Sequence, residues 1–300
     1  MTPVSLSLIT SSTGRPTLPQ PDCQNQIAVT RESALSNPEW AKAAGQVAAA
    51  FVNARLASRA LEAYPGPLPD SLDSAYLCQA RAIELWPDTV GGWKVGSIRP
   101  ELARALGRNR LIGPIFAKSI RHVAPGECLT FTTFDGGFAA AEPEYVLQID
   151  KNADPGKSRW SVDEARSLVG KVFQGVEIAG SPFPAINDLG PAVVVSDFGN
   201  NDGLLLGAEV ADWRTRPLGE WSSRLFIDDA LIGQGSVVDL VGGPFESLRF
   251  ALEQIARMGR SVKQGDCIST GAITGVHRIH SGQRIRAEFD TGETIDCIAR

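Results

Sequence analysis

The sequence predicts an α+β protein: a helical N-terminal lobe followed by a strand-dominated body with a few inserted helices. Three observations carry that reading. Apolar residues recur at three-to-four-residue steps through residues 38–63 and again from Ser71 to Ile83, the period of a helix with one buried face. From about residue 90 to 210 the texture changes to β-rich pieces cut by Gly, Pro and Asp turns. The chain shows neither a regular strand–helix–strand alternation nor an internal repeat, so a doubly wound sheet is not expected.

Each element follows from local signals. Residues 1–33, rich in Ser, Thr, Pro and Gln without a sustained period, are expected to form a flexible tail. Residues 34–92 form the expected helical lobe and 93–300 the expected body. The first helix buries Trp40, Ala43, Val47, Ala50, Phe51, Ala54 and Leu61 and stops at Pro65-Gly66-Pro67; the second runs from near Ser71 until Pro87 ends it. Ser161-Val-Asp-Glu164 has the form of a capping box, which starts a helix over 161–168 inside the strand region. Phe245, Leu248, Ala251, Leu252 and Ile255 give one more amphipathic helix over 244–258. The runs 267–270, 284–289 and 294–298 return to strands.

Composition excludes several classes. A chain of 300 residues with 43% hydrophobic and 21% charged content can bury a full core. With 29 basic against 34 acidic residues and no basic run interleaved with aromatics, nucleic acid is not an expected partner. Five scattered cysteines without a C-x-x-C pair argue against a disulfide framework or a zinc knuckle and predict reduced thiols in the cytoplasm. No run approaches the roughly 18 apolar residues of a membrane span, and no basic n-region precedes the first apolar patch. Three histidines, with no G-x-S-x-G, H-E-x-x-H, Walker or dinucleotide fingerprint, give no support to a serine hydrolase, a zincin or a nucleotide enzyme.

Chemistry concentrates in a few segments. Glu142 and Glu144 precede the strand-like Val146–Ile149 at i and i+2, which in extended chain puts both on one face, roughly 6.5 to 7 Å apart at the backbone. Glu177 lies in the apolar run Val176-Glu177-Ile178, where a buried carboxylate needs a partner. Three acids in one cavity repel each other unless a cation compensates them, and all-oxygen ligation suits Mg²⁺ or Mn²⁺. An E-x-E pair alone is more often a solvated strand edge, and Glu177 alone fits a structural ion pair. Lys94, between glycines in Gly91-Gly-Trp-Lys-Val-Gly-Ser97, is either fixed in a cleft as a substrate contact or a lysine snorkelling from a strand. Ser269-Thr-Gly-Ala-Ile-Thr-Gly275 is either an ordinary tight turn or a carboxylate-binding one.

Taken together and in order, these segments resemble the fumarylacetoacetate hydrolase superfamily, in its branch of 2-keto-4-pentenoate hydratases and 4-oxalocrotonate decarboxylases. The resemblance covers roughly residues 70–298. It rests on Trp93-Lys94-Val-Gly-Ser97, Gly113-Pro-Ile-Phe116, Glu142-Pro-Glu144, Val176-Glu177-Ile-Ala-Gly-Ser181, Val195-Ser-Asp197, Gly235-Ser236 with Gly243-Pro244, and Thr270-Gly-Ala272.

The resemblance implies a curled, mixed β-roll carrying the metal, with Glu142, Glu144 and Glu177 as ligands to Mg²⁺ or Mn²⁺. Lys94 would then polarise substrate or handle a proton, and Thr270, Gly271, Ser181 and Asp197 would contact a small 2-oxo acid. It further implies a homo-oligomer, with association to a pathway decarboxylase or aldolase as a possible partnership. Hydration of a 2-oxo-4-enoic acid is the leading expectation. The alternatives are decarboxylation of a 2-oxo dioic acid, C–C hydrolysis of an acylpyruvate, or an inactive binding subunit. Three departures border the expected pocket: Leu111 stands where hydratases of the branch carry an acid, Asp197-Phe-Gly-Asn-Asn-Asp-Gly203 replaces the family's D-N-A-S-[SC]-G loop, and Pro182 replaces the arginine expected after Ser181.

Overall fold

The structure is a computed structural model and describes residues 38–300. The expected tail over 1–33 lies outside the described residues. Two helices open the described chain, α1 (Pro38–Leu56) and α2 (Leu72–Leu85). Ser71 caps α2 by accepting a hydrogen bond from the Ser74 N–H at 3.1 Å. Helix α1 is shorter than the sequence period suggests. After Leu56 the chain turns through Ser58 at φ 49°, and the Leu61 N–H donates to the Pro182 carbonyl at 2.8 Å. Leu61 thus packs on the core from a non-helical segment pinned to the body, which apolar spacing alone cannot distinguish from another helical turn.

The body follows as β1 (Val90–Ser97), α3 (Pro100–Leu106), β2 (Arg110–Phe116), β3 (Ile120–His122), β4 (Cys128–Phe131), β5 (Phe138–Ile149), α4 (Val162–Arg166), β6 (Val169–Ser181), α5 (Pro191–Ser196) and β7 (Asn201–Glu209). It closes with β8 (Ser222–Ile227), β9 (Ala230–Ser236), α6 (Gly243–Arg257), β10 (Cys267–Ser269), β11 (His277–Arg278), β12 (Arg284–Phe289) and β13 (Thr294–Ala299). The short helices α3 and α5 fall where the sequence reading expects strands around a single helix; each begins on proline, which suits a first helical turn.

Among the described residues two mixed sheets form. The larger runs β2-β1-β10-β5-β6-β7-β3, with β11 also on β5; the smaller runs β4-β13-β12-β8-β9. Strand β10 enters between β1 and β5, parallel to the first and antiparallel to the second. The α+β class with a curled, mixed-sheet body is therefore the architecture of the chain, and one continuous core joins residues of α1 and α2 to those of the strands. Among the described residues no helix is long and apolar enough to cross a membrane.

Strand β5 is longer than its sequence signal, beginning at Phe138 rather than near Val146, so both glutamates lie inside it. Pro143 between them is tolerated for a geometric reason. Its carbonyl accepts from the Ile273 N–H at 3.2 Å, so the edge of this residue that lacks an N–H faces the gap between β10 and β11, where no regular ladder runs.

Candidate metal centre

Strand alternation places Glu142 and Glu144 on the same face of β5, and antiparallel pairing sets Glu142 directly opposite Glu177 of β6. Like charges facing each other in this way destabilise a strand pair. Carboxylate oxygens of the three residues lie within 4.8 Å of one another, and all three side chains are buried. Lys94 of β1, 4% exposed, reaches the cluster with its Nζ 3.0 Å from Glu177 Oε1. Three carboxylates and one ammonium leave a formal charge of −2 among buried side chains.

The surroundings divide into held and unheld oxygens. Glu144 Oε2 accepts from the Ser269 hydroxyl and from the Gly271 N–H at 2.8 Å. Glu177 Oε1 accepts from Asn201 Nδ2 at 3.0 Å besides Lys94. Glu144 Oε1 and Glu177 Oε2 are buried without any hydrogen-bond partner. Buried carboxylate oxygens in that condition are costly, and the all-oxygen donor set is that of a hard divalent cation such as Mg²⁺ or Mn²⁺. The residues present therefore fit a divalent ion: two free oxygens, a third acid facing the cavity, and two negative charges to neutralise.

The electrostatics agree. Burial, opposed by Lys94 and reinforced by Glu177, pushes the Glu142 carboxyl up to about 7. Burial, then Glu177 and Glu142, raise Glu144 well above the usual carboxylate range against the Ser269 hydrogen bond and Lys94. Burial disfavours the Lys94 ammonium, but the three carboxylates, Glu177 foremost, outweigh it and hold Lys94 above its ordinary value. Without a cation the raised carboxyls of Glu142 and Glu144 favour keeping their protons; with one they have reason to release them.

A cavity of about 500 Å³ opens onto the cluster, lined by Lys94, Glu142, Asn200, Arg99 and Asp188 among other residues. Leu111, Leu102, Val194 and Val276 contribute apolar wall. Thr270 and Gly271 do not line it. The Thr270 hydroxyl donates to the Tyr145 carbonyl at 2.7 Å and the Gly271 N–H is taken by Glu144, so the turn braces a carboxylate of the cluster while Ala272 and Gly275 face the cavity.

Ser181 and Asp197 also lie off the cavity, fully buried in a second ionic cluster. Ser181 Oγ donates to Asp197 Oδ2 at 2.6 Å, and Asp197 is gripped by Arg55 of α1. The guanidinium beside Ser181 thus comes from the N-terminal helix instead of the next residue in sequence. Sequence reading missed Arg55, Asn187, Asp188, Asn200 and Asn201. The dense Asn/Asp/Gly composition of 197–203 was the available signal for the two asparagines; nothing local marked Arg55.

No protein-family model matches the chain. Solved structures do. The 4-oxalocrotonate decarboxylase from Pseudomonas putida G7 in complex with magnesium and adipate superposes with a TM-score of 0.70 at 15% sequence identity, over 86% of this chain and 97% of that one. The same enzyme with calcium and acetate gives 0.70 at 15%, over 86% and 98%. Fumarylpyruvate hydrolase from Pseudomonas aeruginosa with Mn²⁺ and pyruvate gives 0.51 at 17%, over 69% and 88%. The chain thus shares its fold with these decarboxylase and hydrolase structures.

Proposed function

We propose that the chain is a divalent-metal-dependent lyase of small 2-oxo acids, and that decarboxylation of a 2-oxo dioic acid is the reaction its cavity suits best. One observation carries the reading: three buried glutamates with two unpartnered oxygens stand beside a charged lysine that lines a cavity of about 500 Å³. Glu142, Glu144 and Glu177 would hold the ion. When bound, it supplies Lewis acidity toward the 2-oxo and carboxylate oxygens of the substrate.

The remaining roles follow from the protein's own groups. Lys94 stays protonated in this setting and, tethered by Glu177 and by Asn200 Oδ1 at 3.3 Å, offers fixed positive charge to an oxygen on which negative charge develops. Leu111 and Val194 make the wall apolar, which keeps water from competing while carbon dioxide leaves. Arg99 supplies a cation for the distal carboxylate that a dioic acid has and a monoacid lacks. The adipate seen in the decarboxylase structure is itself a dioic acid and supports the same choice.

Hydration of a 2-oxo-4-enoic acid is the second reading, favoured by Asp188, a cavity carboxylate outside the trio that is able to activate water. Mass spectrometry of products from 2-oxo dioic and 2-oxo-4-enoic acids, with and without Mg²⁺ or Mn²⁺, tests both. Metal-dependent release of carbon dioxide is the expected result; a 4-hydroxy-2-oxo acid, abolished by Asp188→Asn, would install hydration in its place. Glu144→Ala is expected to remove activity and to weaken metal binding by more than the roughly 10–100-fold that loss of an outer partner costs. Full activity in that variant would defeat the ligand assignment.

A further inference from the structure

We propose that Arg55, a buried arginine in the last turn of α1, is a positioning residue of the metal centre. It clamps the turn 197–202 so that Asn200 and Asn201 hold Lys94 and Glu177 in their working orientations. The inference rests on the metal reading above and adds to it a residue that touches neither ion nor substrate.

The guanidinium is used at every face. Arg55 Nε donates to Asp197 Oδ1 at 2.5 Å and Nη2 to Asp197 Oδ2 at 2.9 Å, a bidentate pair. Nη2 also donates to the Gly180 carbonyl at 2.8 Å, and Nη1 to the Asn201 carbonyl at 3.0 Å and Asp202 Oδ1 at 3.2 Å. Its carbon lies 5.1 Å from the centre of the Phe198 ring. One side chain therefore grips both ends of the turn and the C-terminal end of β6.

The turn needs such a grip. Phe198, Gly199 and Asn200 have φ of 54°, 63° and 56°, three successive left-handed residues; glycine and asparagine tolerate that conformation, and the bulky Phe198 does not adopt it readily. It then delivers two amides to the site. Asn200 accepts from Lys94, and Asn201 donates to Glu177 Oε1. Because Lys94 and Asn201 both engage Oε1, Oε2 is left free, so Asn201 sets which oxygen Glu177 presents. A lysine in place of Arg55 keeps the charge but cannot make the fork to Asp197 and reach two carbonyls at once.

Mn²⁺ binding to the purified metal-free chain, followed by the electron paramagnetic resonance signal of free Mn²⁺ and run beside thermal melts, tests the proposal without reference to turnover. Arg55→Lys and Asn201→Ala are each expected to weaken Mn²⁺ binding on the order of 10–100-fold at temperatures where circular dichroism shows both folded. The double variant should bind no more weakly than the worse single, because both act on one carboxylate. Wild-type affinity in folded Arg55→Lys, or losses that multiply in the double variant, would overturn the positioning role and leave the metal reading standing. If Arg55→Lys does not fold, Asn201→Ala, which keeps the clamp, decides: a loss of about tenfold or more supports the proposal, and no loss overturns it. Failure of the wild-type chain to bind Mn²⁺ would overturn the metal reading and this inference together.

Discussion

Glu142 is the side chain whose behaviour reports most directly on the empty and filled states of the centre. Its carboxyl is pushed from 4.5 up to about 7 in the folded chain. The folded metal-free protein thus holds a proton that the unfolded chain gives up, so the contribution is full below about pH 4.5 and is lost as pH rises through about 7. The shift corresponds to about 3 kcal/mol at most. Metal-free protein is expected to melt progressively lower between pH 5 and pH 8, and Mn²⁺ to raise the melting temperature more at pH 8 than at pH 5. Scanning fluorimetry across that range checks both, and a stabilisation by Mn²⁺ that is flat with pH would contradict the protonation of Glu142. Residue types were legible here. The two-residue spacing of Glu142 and Glu144 is sufficient to put them on one face of an extended strand, whereas Glu177 inside Val176-Glu177-Ile178 signals only a buried acid in need of a partner, which a structural ion pair would also satisfy. Arg55 was not legible, because its partners stand 125 to 147 positions away and no local pattern marks it.

At the level of elements, close backbone approach matters as much as side-chain chemistry. Gly113 of β2 lies against the 198–199 turn, where a Cβ would sit 1.9 Å from the Phe198 carbonyl oxygen. Gly113→Ala is expected to destabilise the chain by about 1–3 kcal/mol or more and to disturb the turn that carries Asn200, so metal affinity should fall along with the denaturation midpoint. Urea unfolding beside Mn²⁺ titration measures the two, and unchanged affinity in a folded Gly113→Ala would separate the turn from the site. The elements themselves were legible unevenly. The capping box is realised at α4, with the Ser161 hydroxyl accepting from the Glu164 N–H at 3.2 Å and Glu164 accepting from the Ser161 N–H at 2.8 Å, because both partners sit within one turn of chain. Helices α3 and α5 were not, since seven and six residues are too few to display a period.

For the whole molecule, ion binding and folding are one equilibrium, because the ligands come from two strands of one sheet and their supports from β1, β10 and the 197–202 turn. Mn²⁺ at about a hundred times its dissociation constant should add about 2.7 kcal/mol, which for a chain of this size raises the melting temperature on the order of 5 °C. Glu177→Gln should abolish that rise, and its persistence would place the ion elsewhere. The order of strands in the sheet is what no sequence pattern displayed: pairing partners far apart in the chain leave no local trace, and only the family resemblance suggested a roll.

The insertion of β10 between β1 and β5 has a consequence for biosynthesis. A ribosome delivers residues 90–97 and 138–149 long before 267–269, so the nascent polypeptide holds two half-sheets whose facing edges have nothing to zip to. Contacts of that separation close slowly, and until they do those bare edges invite chaperones or mispairing. A ribosome stalled before Cys267 would release a product without the strand that joins β1, with its Lys94, to β5 and that supplies the Ser269 hydroxyl to Glu144, however complete its acidic residues.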